Sequence, residues 1–208
     1  MTNSSARTYA GRVSSPTRWA GVPLADRRAE RRSKLVEAAF DIFGTGGETA
    51  LSVRSVCRAC GFNTRYFYES FADTDELLGA VYDVTALALG EAIERELADL
   101  PSSVRARTRA GIVAVLDFSS TDPRRGRVLF TEAQANRVLA QRRSATQELL
   151  HELTLAETLT HAPDRLVGRI RAVMFTGAMS ALVQQWLSGD LGDDLDVVAD
   201  HAVSMLTS

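Results

Sequence analysis

From about Asp26 onward the apolar residues of this chain recur at three- and four-residue steps, and nowhere do they alternate as a strand would require. Leu35, Ala38, Ala39, Ile42 and Phe43 form one stripe, which Gly44, Gly46 and Gly47 bring to an end. Ser52 is positioned to cap a short helix carrying Val53, Val56 and Cys57. Gly61 stops it, and Asn63 caps the next, Thr64 to Ser70, with Phe67 and Phe71 four apart facing inward. Asp73, with Glu76 three residues on, opens a longer helix through Leu77, Leu78, Val81, Val84, Leu87 and Ile93 to about Leu97. Beyond Pro101 the pattern resumes over Arg105–Phe118. Pro123 interrupts again, and residues 124–159 read as two helices jointed near Ala135–Arg137. Pro163 precedes a long apolar helix at 164–187. Gly189 and Gly192 break it, and Asp194 starts a last helix carrying Leu195, Val198, Ala202, Met205 and Leu206. The fold class expected is all-α, with about nine helices: a flexible basic arm (1–25), a three-helix unit (26–72) and a larger helical domain (73–208).

Charge is distributed unevenly. The chain carries a formal net charge of −2, yet Arg7, Arg12, Arg18, Arg27, Arg28, Arg31, Arg32 and Lys34 face only Asp26 and Glu30 over the first 34 residues. The surplus of acids lies behind residue 72. A basic front on an acidic rear fits a chain whose front alone meets a polyanion. No apolar leader follows Arg7, and the uncharged run Ala172–Gly189 contains Thr176, Ser180, Gln184, Gln185 and Ser188, so no membrane partner is expected. Cys57 and Cys60 lie on an apolar stripe without a second ligand pair, which points to packing, not metal, and to a reducing, cytoplasmic setting. No cofactor motif is present. Glu148-x-x-His151 is half of a di-iron bundle motif, and no second half follows. With no phosphate loop or nucleophile elbow either, an all-helical enzyme is the weakest alternative. A helical interaction protein without DNA binding is the other.

The three short helices carry the functional signal. A brace and a reading helix joined by a tight turn allow the second to enter the major groove, where base edges are distinguishable. Ser52–Cys60, Gly61 and Asn63–Ser70 meet that geometry. Leu-Val-Glu-Ala-Ala-Phe-Asp-Ile-Phe at 35–43, Ser52-Val53, Gly61-Phe62-Asn63, Phe67-Tyr68-Glu69-Ser70-Phe71 and Asp75-Glu76-Leu77-Leu78 together resemble the tetracycline-repressor (TetR) family. The resemblance implies a DNA-binding transcriptional regulator, a homodimer on double-stranded DNA released from a roughly palindromic operator by a small-molecule effector. It implies that Tyr68 meets a backbone phosphate, that Thr64, Arg65 and Tyr66 face bases, that Ser70 lies within reach of backbone or base, and that Arg54 touches DNA from the brace. Arg65 is the choice for a guanine, since its planar fork pairs with O6 and N7 together. Two departures stand out: Thr74 where many members carry lysine, and Glu69 within the reading helix. Glu69 is read either as an acceptor from cytosine or, preferably, as a solvent-facing or arginine-paired carboxylate. Arginines of the arm and first helix, Arg18 and Arg28 among them, are expected to compensate for the lysine, with Arg18 entering the minor groove.

The rear domain has more apolar surface than one core needs. The helix at 164–187 directs Ile170, Met174, Gly177, Ala178 and Ala181 to one neighbour and Val173, Leu182 and Trp186 to another. With Val198 and Met205 of the last helix, the first set is expected to form the dimer interface that the resemblance implies. An effector pocket is expected among Tyr82, Phe118, Phe130, Met174 and Phe175, with Gln134 or His151 orienting a largely apolar ligand.

Overall fold

A computed structural model describes residues 18–19, 22–101, 103–132, 136–161 and 164–206. Among these residues nine α-helices follow one another: α1 (Leu24–Gly46), α2 (Val53–Cys60), α3 (Thr64–Tyr68), α4 (Thr74–Leu97), α5 (Val104–Thr121), α6 (Pro123–Gly126), α7 (Arg137–His161), α8 (Arg165–Leu187) and α9 (Leu195–Leu206). The fold is all-α, as the periodicity requires. One small departure is a hairpin ahead of α1, in which β1 (Arg18–Trp19) pairs antiparallel with β2 (Val22–Pro23). The basic arm otherwise falls outside the described residues.

Local chemistry explains most of the boundaries. Ser52 caps α2 with a reciprocal box, accepting from the Ser55 amide while the Ser55 hydroxyl accepts from the Ser52 amide. Asp73 caps α4 by accepting from the Glu76 amide, and the Glu76 carboxylate reaches one residue further back than a capping box, to the Ala72 amide. Asp164 caps α8 through the Val167 amide. Asp26 does not cap α1; the helix begins at Leu24, and Asp26 sits within its first turn, where a negative charge suits the dipole. In the stretch expected to hold two helices, α6 runs into a π-helical turn (Arg127–Thr131) and α7 begins at Arg137; residues 133–135, at the anticipated joint, lie outside the described residues.

Two cores hold these elements. The first joins Leu35, Ala39 and Phe43 of α1, Val56 and Cys57 of α2, Phe67 and Phe71 around α3, and Leu77, Leu78, Val81 and Tyr82 of α4. It continues to Phe118, Val128, Leu129 and Leu139. The buried cluster therefore runs across the division at residue 72 instead of stopping there. The second core is made by Ile112 and Leu116 of α5, Val183 of α8 and Ala199 and Val203 of α9, and Phe130 packs on both.

The end of α1 is clasped from behind. Gly44 permits this approach, since a Cβ there would stand 2.5 Å from the Arg124 Cβ. Arg124 reaches Asp41 at 2.7 Å, and Arg127 donates to the carbonyl oxygens of Thr45 (2.8 Å) and Gly44 (3.3 Å), which the helix leaves without partners of its own. Gly47, at φ 69°, then turns the chain out of the helix.

Candidate nucleic-acid interface

The reading helix is held by one face only. Phe67 and Phe71 are 0% and 2% exposed, their rings 6.0 Å apart, and they anchor α3 in the first core, against α1 and α2. Val56 and Cys57 anchor α2 in the same way. Gly61 makes the turn between them at φ 67°, a left-handed conformation that favours glycine, and its amide donates back to Arg58 and Cys57. Asn63 then caps α3, accepting from the Arg65 amide at 2.9 Å. An aromatic pair buried on one side of so short a helix forces the remaining side chains outward.

Thr64 and Arg65 are exposed, the Arg65 side chain by 83%. Tyr66 and Tyr68 are 41% and 62% exposed, each edge-on to a phenylalanine, Phe62 and Phe67 respectively. Arg54, second residue of α2, is exposed on the brace. Ser70 is drawn inward: its hydroxyl donates to the Tyr66 carbonyl at 3.2 Å, and the residue is half-buried, so its hydrogen bond is made within the protein. Arg18 falls in β1, with its side chain outside the described residues.

Glu69 is an arginine-paired carboxylate. Its Oε1 accepts from Arg65 Nε at 3.0 Å, and its Oε2 lies 3.9 Å from an Arg31 terminal nitrogen. Arg28 donates to its backbone carbonyl. Arg31 also places its guanidinium 5.0 Å from the centre of the Tyr66 ring, and Arg32 lies 4.2 Å over Phe71. Arg28, Arg31 and Arg32 share one face of α1 by their three- and four-residue spacing, and this face meets the end of α3. Arg28 was anticipated at the interface; the part of Arg31 was not. The signal available in the sequence was that spacing, but it does not reveal which element the face meets. Around Cys57 and Cys60 burial raises both thiols above the ordinary cysteine range, and Cys60 Sγ donates to the Lys34 carbonyl, in keeping with packing.

The rear-domain expectations divide. Ile170, Gly177 and Ala181 are exposed on one stripe of α8, together with Met174 at 62%. Val198 is a correction: it packs into the second core, and Val197, one residue earlier, points out at 50% exposure beside Met205 at 80%. A single residue turns the helix by about 100°, enough to exchange the two faces. Met174 is a second correction, since a side chain that open lines no interior cavity. Leu182 and Trp186 pack on the second core, but Val173, expected beside them, is a further correction: it is 59% exposed, near Met174. Among the pocket candidates, Tyr82 and Phe118 are buried, Phe130, His151 and Phe175 are half-buried, and Gln134 lies outside the described residues. Of these, Phe118 lines one of two clefts found among the described residues. A cleft of about 150 Å³ between α4 and α5 is lined by Phe118 with Arg95, Asp117 and Arg125, and another of about 200 Å³ by Gly44, Arg127 and Leu187. By length and composition α8 is apolar enough to cross a membrane, with only 17% of that window buried.

Comparison with known proteins agrees with this geometry. Residues 35–81 match the model of the bacterial regulatory proteins of the tetR family. The HTH-type transcriptional regulator AcrR of Shigella flexneri is 23% identical over 188 residues, covering 85% of this chain and 87% of its own. The fatty acid degradation regulator FadR from Bacillus halodurans superposes with a TM-score of 0.69 at 16% identity, over 85% of this chain and 94% of that one. The transcriptional regulator FadR from Bacillus subtilis, in complex with stearoyl-CoA, gives 0.68 at 19% identity over 85% and 97%. The reading helix pinned by two phenylalanines thus lies in a stretch, residues 35–81, that is similar to the bacterial regulatory proteins of the tetR family, and the chain superposes on solved regulators over most of its length.

Proposed function

We propose that the protein is a ligand-responsive repressor that binds a roughly palindromic operator as a homodimer. The observation that carries this reading is the uncovered polar side of α3, where Thr64, Arg65 and Tyr68 are exposed to solvent. In this reading Arg65 pairs with a guanine, Thr64 and Tyr66 contact neighbouring bases, and Tyr68, Arg54 and Arg28 hold phosphates. Arg18 extends from the arm toward the minor groove. A second copy of the chain covers the apolar stripe of α8, Ile170 to Ala181, and Met205, in preference to lipid. The protein works in the cytoplasm, where its operator lies.

The effector is a largely apolar small molecule. The stearoyl-CoA bound by the Bacillus subtilis neighbour supports that class. The two clefts fall below the ~300–1,000 Å³ of ordinary small-molecule sites, so effector binding has to part α4 from α5 or α7. Parting them disturbs the first core, which reaches α1 and α3 directly. Near-complete release from DNA requires on the order of 10⁴-fold preference for the parted form.

The test is selection of bound duplexes from a random library, followed by footprinting and binding at several salt concentrations. A palindromic site with a steep salt dependence is expected. Arg65→Ala is expected to cost about 1–3 kcal/mol on the selected site and to relax one base position. Failure of the wild-type protein to enrich any duplex overturns the proposal.

A further inference from the structure

We infer that Glu69 is a specificity-determining positioning residue, which holds Arg65 back from DNA that offers phosphate but no matching base. This rests on the DNA-binding reading above. The carboxylate occupies a place that suits a phosphate: it lies between Arg65 Nε at 3.0 Å and a terminal nitrogen of Arg31 at 3.9 Å, at the end of the reading helix. Arg28 is bound to the carbonyl of the same residue. The free protein thus carries its own anion where the polyanion is to dock. Arg65, 83% exposed, must leave this partner before it can reach a groove.

The two kinds of DNA compensate for that departure differently. A guanine in register returns two hydrogen bonds in the fork geometry of the guanidinium. A non-matching duplex returns only a diffuse phosphate contact, which the Glu69 charge also opposes. Glu69 therefore weakens non-specific binding more than specific binding. The cluster is placed to act this way because Phe67 and Phe71 fix α3 against α1, so Arg31 meets Glu69 without any rearrangement.

The experiment compares wild type, Glu69→Gln, Arg65→Ala and the double variant. Each is titrated with a random-sequence 30-base-pair duplex and with a duplex selected by the wild-type protein, across a salt series. Glu69→Gln is expected to bind the random duplex about ten-fold more tightly and the selected one by about three-fold or less, lowering the ratio of the two. Its salt slope on the random duplex is expected to steepen by about one, the signature of one more phosphate neutralised. In the Arg65→Ala background the same substitution is expected to change the slope little. The Arg65 Nε–H proton is expected to exchange faster in Glu69→Gln than in the free wild type. An unchanged ratio and slope in Glu69→Gln overturns the inference while leaving DNA binding intact. So does a slope change that persists in full without Arg65. Absence of binding by the wild type to either duplex overturns both readings.

Discussion

Phe67 shows how much of this molecule hangs on single side chains. It is wholly buried, makes edge-on contact with Tyr68 and lies 6.0 Å from Phe71. Because α3 has only five residues, no helical hydrogen-bond ladder of its own can sustain it. Phe67→Ala is therefore expected to cost about 3–5 kcal/mol of stability in urea denaturation, and to lose DNA binding even where the protein remains folded. Tyr68, 62% exposed on the same turn, is expected to behave differently. Tyr68→Phe is predicted to leave the denaturation midpoint in place, since that hydroxyl serves no core contact, and to weaken binding to specific and random duplexes alike. Equal loss of stability in the two variants would show that the outer side of α3 is structural. The residue types were legible in the sequence, since aromatic residues four apart mark a buried face. The Arg65–Glu69 pair, four residues apart, was within that reading too; the Arg31–Glu69 contact was not, because it joins residues 38 positions apart in different elements only after folding.

At the scale of elements, the boundaries respond to two separate chemistries. Gly61 sits at φ 67°, and a Cβ there would meet nothing within 4 Å. Gly61→Ala is thus expected to lose about 1 kcal/mol from backbone conformation alone, and Gly61→Asn less, because asparagine tolerates the left-handed region. Thermal denaturation of the pair measures this directly. Asp122 provides the other case. It caps α6 by accepting from the Arg124 amide, and the Arg124 guanidinium beside it holds its carboxyl below the usual carboxylate range. A carboxyl depressed in the folded state contributes stability that is complete above its unfolded value of about 3.9 and fades as the pH falls below it. Asp122→Asn keeps the cap and removes the charge. It is expected to be less stable than the parent at pH 7, with the difference closing in acid. A constant difference across that range would assign the loss to packing. The caps at Ser52, Asn63 and Asp73 could be read in advance, because capping is decided within four residues. The clasp of Arg124 and Arg127 on the end of α1 could not, since it spans some 80 positions.

On the scale of the whole molecule, one face remains to be covered. Ile170, Val173 and Met174 are 49–62% exposed on α8, with Leu166 at 68%, and Val197 and Met205 add to them from α9. In the proposed homodimer a second copy related by a two-fold axis would cover this stripe with itself. Met174→Glu is expected to halve the mass seen in light scattering, toward the 22.6 kDa of one chain, and to reduce operator affinity because two half-sites are no longer engaged together. Arg109, paired with Asp196 at 2.7 Å and Asp200 at 2.6 Å, ties α9 to α5.

The order of helices, their caps and the side of α3 that stays polar were settled by the sequence alone, because each depends on neighbours within a turn or two and on a period of 3.6 residues. The face of α9 that turns outward, the hold of Glu69 on two arginines and the continuity of one core from the reading head into α4 and α7 were settled only by tertiary packing. These depend on which elements meet, and a local pattern that repeats every turn carries no record of its partner.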